Sequence, residues 1–214
     1  MKKTILILLI FISNILYSQY FWTGSKLLTR NFIDKNPSFG MKCRVSNPYL
    51  SFEFLVFERN TLINFSNICA IKMGYGGNFD SVFYVTSGNN LCRNPSVDYY
   101  KNFYNTPTVT LIVWEQYTGG RWNLFGRYHH SSTGWGSIFP VDTTSLNKYN
   151  PSVARQFSDN IFGVAYEKNN DIIYREFNVT SGAITYDTNL TSGDTSICRR
   201  PNLSVDNMWS SNDK

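Results

Sequence analysis

Helical periodicity is what this sequence most lacks. Beyond the first eighteen residues no stretch repeats apolar side chains at three- and four-residue spacing, which excludes an all-helical or doubly wound α/β chain. Charge is scarce too: Asp, Glu, Lys and Arg make up 16% of the residues, and no run of five basic residues occurs, so a nucleic-acid partner is not expected. After the N-terminal run no hydrophobic stretch approaches membrane length, and the processed chain is expected to be soluble, with no membrane insertion. The only histidines, His129 and His130, are adjacent. On a strand they would point to opposite faces, which reads as a surface pair and not a shared metal site. The four cysteines, Cys43, Cys69, Cys92 and Cys198, contain no Cys-x-x-Cys spacing, so zinc is not expected. Gly74-Tyr75-Gly76-Gly77 is followed by no Lys-Ser or Lys-Thr pair and reads as a loop, not a phosphate cradle. No cofactor or metal is expected.

What is present begins with Lys2-Lys3, an apolar run from Ile5 to Leu16, and Tyr17-Ser18-Gln19. That order reads as a secretory signal peptide over residues 1–18, hence a secreted or cell-surface product. Its removal lowers the formal charge from +5 to +3, because Lys2 and Lys3 leave with it. Export permits disulfides, but four cysteines allow three full pairings and leave buried free thiols as an alternative. Phe, Tyr and Trp make up 16% of the chain, with Asn, Ser and Gly punctuating it, which favours strands.

The sequence repeats itself. Asn36-Pro37-Ser38-Phe39 returns as Asn94-Pro95-Ser96-Val97 and Asn150-Pro151-Ser152-Val153, then in degraded form as Pro201-Asn202-Leu203-Ser204-Val205. Aligned on the serines at 38, 96, 152 and 204, the period falls from 58 to 56 to 52 residues. Within each unit an apolar run ends in an aromatic residue and a glutamate: 54–58, 111–115 and 163–167. A third landmark closes each unit, leading through Thr86, Thr143 or Thr191. The middle unit thus predicts strands at 96–101, 109–116, 122–129 and 135–141, with a Gly119-Gly120 hairpin turn after the second. Four antiparallel strands per unit of about fifty residues predict an all-β, β-propeller-type array of four-stranded blades. The divisions are 19–35 (outer strand of a partial blade and a linker), 36–93, 94–149 and 150–200 (three blades), and 201–214 (the start of another).

At these residues the chain resembles the sialidase-like, or BNR-like, propeller repeats of exported bacterial proteins, from Trp22 to Val205. The resemblance rests on Asn-Pro-Ser-Val, then Ile112-Val113-Trp114-Glu115, then Gly119-Gly120-Arg121-Trp122-Asn123-Leu124-Phe125-Gly126-Arg127-Tyr128, then Gly134-Trp135-Gly136. It implies a propeller; for activity it is open, because such folds serve hydrolases, lectins and scaffolds. The family's Asp box is not intact: Ser131-Ser132-Thr133-Gly134-Trp135 lacks the aspartate, and no catalytic set maps onto the chain. The favoured function is a non-catalytic binding or scaffolding module for a glycan or surface protein. The alternatives are a sialidase-type glycoside hydrolase and a purely structural segment of a larger surface protein.

Glu58, Glu115 and Glu167 stand once per unit, as a repeated structural role predicts; catalysis would need unlike carboxylates. Arg93, Arg199 and Arg200 precede first strands, where they can fork onto a carboxylate ligand or pair with those glutamates. Tyr99, Tyr100 and Phe103 are the remaining ligand-binding candidates, through exposed rings. Three blades are fewer than the about four needed to close a ring. Missing blades are therefore expected from a longer chain or from self-association, with apolar faces at 54–57 and 162–166 left uncovered.

Overall fold

The computed structural model describes residues 33–39, 54–62, 65–73, 79–100, 108–156 and 161–204. Among them there is no helix, and the sheets do not close into a barrel. Twelve strands among the described residues form three consecutive antiparallel meanders. The first contains β1 (Ile33–Phe39), β2 (Phe54–Leu62), β3 (Phe65–Met73) and β4 (Phe79–Tyr84). The second contains β5 (Leu91–Tyr100), β6 (Val109–Thr118), β7 (Arg121–His130) and β8 (Gly134–Asp142). The third contains β9 (Lys148–Arg155), β10 (Ile161–Lys168), β11 (Asp171–Asn178) and β12 (Ile184–Asn189). A parallel bridge between Ser66 and Leu91 joins the first two meanders into one eight-stranded sheet; the third is separate.

The first strand of each unit begins before the proline, not after it. In the middle unit it starts at Leu91 instead of residue 96. Proline donates no ladder hydrogen bond, and the chain meets this with a register shift between Arg93 and Ser96. Asn94 turns through φ 49°, a left-handed value that asparagine tolerates better than other side chains. Asn36 and Asn150 do the same at 49° and 51°. The next residue with this value in the series is Arg200, at 51°, immediately before Pro201. The fourth copy is therefore Arg200-Pro201-Asn202-Leu203, with Asn202 at the serine place, and the last period is 50 residues between Pro151 and Pro201, not 52.

The closing landmark is also one residue out in the middle unit. Thr86 Oγ1 accepts the Ile68 amide and Thr191 Oγ1 the Ile172 amide, at 2.9 and 3.0 Å. The residue facing Leu124 in the same way is Asp142, not Thr143.

Alternation along the second strands sends side chains to both neighbours. Phe54 and Val56 meet Ile112 and Trp114 in one core. Leu111 and Val113 meet Phe162, Val164 and Tyr166 in another. The faces expected to be uncovered are buried: Phe54, Val56, Phe57, Phe162, Val164 and Tyr166 are each 4% exposed or less. In β10 the large residues Phe162, Val164 and Tyr166 point toward the second unit, and the outward positions between them hold Gly163 and Ala165. A Cβ on Gly163 would lie 2.6 Å from the Tyr174 hydroxyl, so that ring closes the outer face.

Neighbouring units are joined by side chains reaching for backbone. Ser96 Oγ accepts from the Val153 amide, Asp98 from Arg155, and Ser152 Oγ from Leu203. Arg127 donates to the Val85 carbonyl and Arg175 to that of Val141, both at 2.6 Å. Cys69 and Cys92 are buried free thiols, and burial pushes both up to about 12. Cys198 is also free, and Cys43 lies outside the described residues.

Candidate functional site

The aromatic–glutamate endings and the asparagine bulges meet at one end of the strands. Glu115 is fully buried and accepts three hydrogen bonds, each 2.7 Å long: from Arg93 Nε, from Asn94 Nδ2 of its own unit, and from the Asn150 amide of the next. Glu167 repeats the pattern with Asn150 Nδ2 at 2.8 Å, the Arg200 amide at 2.5 Å and Arg199 Nη1 at 3.0 Å. Glu58 accepts from Asn36 Nδ2 at 3.1 Å, and the same nitrogen reaches Asn94 Oδ1 at 3.0 Å. At Asn150 and Arg200 the positive φ aims the amide of one unit at the glutamate of the unit before.

The carboxylates differ in consequence. Burial pushes Glu58 above the ordinary carboxylate range, and the Asn36 hydrogen bond offsets it only partly. At Glu167 burial acts in the same direction, but the bonds from Arg200, Asn150 and Arg199 outweigh it and hold the group below its usual range.

Between Glu115 and Glu167 lies an open hollow of about 390 Å³, bounded by three arginines (Arg93, Arg199, Arg200), the two carboxylates and Tyr149. The Arg93 guanidinium lies 3.7 Å from the centre of the Trp122 ring and 5.8 Å from that of Tyr149. Stacking and the Glu115 bond fix its pose, and its terminal nitrogens make no further hydrogen bond among the described residues. Arg199 divides its nitrogens between Glu167 and Asn170 Oδ1. The Arg200 side chain has no hydrogen-bond or ion-pair partner among the described residues; only its amide is engaged. So two of the three arginines pair with strand-end glutamates, Arg93 within its own unit and Arg199 across units.

Next in the chain to Tyr149 and Glu167 is a polar network that the sequence did not reveal. Lys148 is fully buried, donating to the Thr144 carbonyl at 2.5 Å and Asn123 Oδ1 at 3.3 Å, with Asp142 Oδ1 3.5 Å away. Asp142 also accepts from Tyr166 at 2.8 Å and Lys168 at 3.1 Å. These donors and Thr144 outweigh burial and hold Asp142 far below the carboxylate range, while burial pulls Lys148 down. The available signal was Asp142 standing where the other units carry Thr86 and Thr191.

The remaining candidates do not join this site. Tyr99 is 3% exposed and sits six residues along β5 from Arg93, about 20 Å at strand rise, so its ring is not an open platform. Tyr100 contributes its backbone to β5; its ring and Phe103 lie outside the described residues. His129 is half-buried, its ring packed against Phe54 and Trp135, both at 4.8 Å, while the half-buried His130 shares a hydrogen bond between Nδ1 and Ser132. Burial, with Lys72 and His130, lowers His129. No group of three or more His, Cys, Asp or Glu is placed to hold a metal ion among the described residues. No protein-family model, no curated protein and no solved structure matches this chain.

Proposed function

We propose that this chain is an exported β-propeller-type array whose three four-stranded units stand as blades, and that it is a non-catalytic binding module for an acidic glycan or surface protein. The resemblance to sialidase-like repeats and the N-terminal signal segment support the architecture and the export. The observation that carries the binding reading is the hollow where Arg93, Arg199 and Arg200 meet. Arg93 is held in place by Trp122 and Glu115 with its outer nitrogens free of hydrogen bonds among the described residues, which suits bidentate capture of a carboxylate. The neighbouring carboxylates, Glu115 and Glu167, are each engaged by three donors, which suits support of the arginines and the bulges and not proton transfer to a substrate.

The test is an array of uronate- and sialate-bearing oligosaccharides probed with the chain from Gln19 onward, beside a screen of fluorogenic glycosides that includes sialosides. The expected outcome is retention on acidic glycans, weakened at least about tenfold by Arg93→Gln in a variant that keeps its β-sheet spectrum. Turnover abolished by one carboxylate or tyrosine substitution would put a glycoside hydrolase in its place.

A further inference from the structure

The hairpins that follow Glu115 and Glu167 differ in length. In the third unit the ladder ends one pair beyond the glutamate, at Lys168 and Asp171, and Asn169-Asn170 turn the chain. In the second unit it runs two pairs further, through Tyr117 opposite Trp122 and Thr118 opposite Arg121. The first unit also has the Tyr117–Trp122 row, but fills it with Asn60 and Ser66. Aromatic rings therefore stand in this row in the second unit, the one that supplies Arg93 to the hollow. The extension is tied down: the Trp122 amide donates to Asn147 Oδ1 at 2.9 Å and Arg121 Nη1 to the Ser145 carbonyl at 3.1 Å. Arg93 and Tyr117 flank one indole. The guanidinium lies 3.7 Å from the centre of the Trp122 ring, and the Tyr117 ring meets the same side chain in a T-shaped contact at 5.4 Å. Such a contact covers at most one face of the tyrosine, and Tyr117 is 46% exposed. Leu91, opposite Tyr117 on β5, is exposed too and continues the uncharged patch.

We infer that Tyr117 is a second sugar subsite, and that the ligand of the hollow is an oligosaccharide in which an acidic sugar is joined to a neutral one. The carboxylate enters the hollow at Arg93, and the adjoining neutral ring lies on Tyr117. The inference rests on the acidic-glycan reading of the hollow and deepens it by naming the kind of glycan. Charge decides against a run of acids. The three guanidinium groups and two carboxylates of the hollow leave one net positive charge, which matches a single carboxylate. The patch beside it, Leu91, Tyr117 and Trp122, carries no charge. Arg121, next along β7, is turned to the other face by strand alternation and is tied to Ser145. An acidic peptide with charges on successive side chains thus finds no second cation on this patch. A neutral pyranose fits it, because the ring's C–H face buries apolar surface against the tyrosine while its hydroxyls stay in water.

The test titrates two pairs of probes into the whole chain, followed by NMR. One pair is a tetrasaccharide of alternating glucuronate and N-acetylglucosamine with free glucuronate; the other is sialyllactose with free sialate. The pairs separate a uronate from a sialate as the acid. In the pair that binds, Tyr117→Ala is expected to weaken the oligosaccharide about tenfold and leave the free acid sugar unchanged. Tyr117→Phe, which keeps the ring, restores binding, and Arg93→Gln weakens both members. Each variant is checked for an unchanged β-sheet spectrum. Equal weakening of the free acid sugar by Tyr117→Ala overturns the inference, because the ring then acts only through Trp122 and Arg93. A galacturonate tetramer that binds as tightly as the alternating glycan overturns it as well. Sensitivity to Arg93→Gln with indifference to Tyr117→Ala refutes this inference alone, whereas no retention of any acidic probe by the folded chain refutes the hollow reading with it.

Discussion

The face that the third unit turns to the second and the face it turns away share one strand, β10, and have opposite chemistry. Inward are Phe162, Val164 and Tyr166, all fully buried against Leu111, Val113 and Leu124. Outward are Gly163 and Ala165, with Tyr174 folded over the glycine, and then a polar set: Tyr174 bonds both Gln156 and Glu176. Tyr186 beside it is 51% exposed. The equivalent outward positions of the first and second units hold Phe54 and Val56, and Leu111 and Val113, each covered by the following unit. Apolar bulk is therefore spent where a described neighbour covers it, and the side that β10 turns away carries Gly163 and Ala165 under the Tyr174 ring.

The sharpest way to break this contrast is truncation on each face. Phe162→Ala opens a cavity in the inner core and is expected to cost about 3–5 kcal/mol, whereas Tyr186→Ala on the outer face should cost under about 1 kcal/mol. Urea unfolding followed by tryptophan fluorescence measures both. Similar costs would mean that the outer face is packed as the inner one is.

A smaller effect compares two glycines. A Cβ on Gly126 would lie 2.7 Å from the Phe139 ring, which is held between Tyr128, stacked at 4.8 Å, and Phe177 at 5.9 Å. Gly163 is equally tight, but its neighbour Tyr174 can swing outward. Gly126→Ala is expected to cost about 3 kcal/mol and Gly163→Ala about 1 kcal/mol, by thermal unfolding.

The smallest effect separates the glutamates. Glu167 is held below the ordinary range, so its contribution is present above the unfolded-state value and is lost as pH falls through the folded one. Glu167→Gln should remove about 1.5 kcal/mol at neutral pH and flatten the acid limb of the stability profile. Glu58 has the opposite sign: its folded value is raised, so its ionised form costs stability as pH rises past the unfolded value. Glu58→Gln is therefore expected to be neutral within about 0.5 kcal/mol, or stabilising, in the same urea titrations at pH 4 and 7.

The strand count and the middle unit's hairpin were legible because they rest on local chemistry: apolar runs and Gly119-Gly120. The recurrence of glutamate and of Asn-Pro-Ser was legible as well, and so was the pairing of Arg93 and Arg199 with strand-end glutamates. The bulge was not, because a proline reads as the end of a ladder unless the residue before it is known to turn left-handed. Misaligning the fourth copy on Ser204 had the same source: the motif is defined by φ, and Arg200 supplies it without being asparagine. The buried faces of β2 and β10 were misjudged by treating a continuous apolar run as equally apolar on both sides, when Gly163 and Ala165 make one side small. The Asp142–Lys148 network joins residues whose charges, taken singly along the chain, look like ordinary surface charges.

The bonds that fasten one unit to the next also impose a direction. Ser96, Asp98 and Glu115 of the second unit wait as acceptors for amides of the third, and the Val85 and Val141 carbonyls wait for Arg127 and Arg175. A unit that folds first on the N-terminal side would carry the attachment points of the next, so templating from that side is the order these bonds favour. Deleting the first unit then removes the mould for the second, whereas deleting the third leaves its predecessors their own template. The array is in this sense a vectorial object, and its tolerance of trimming is asymmetric.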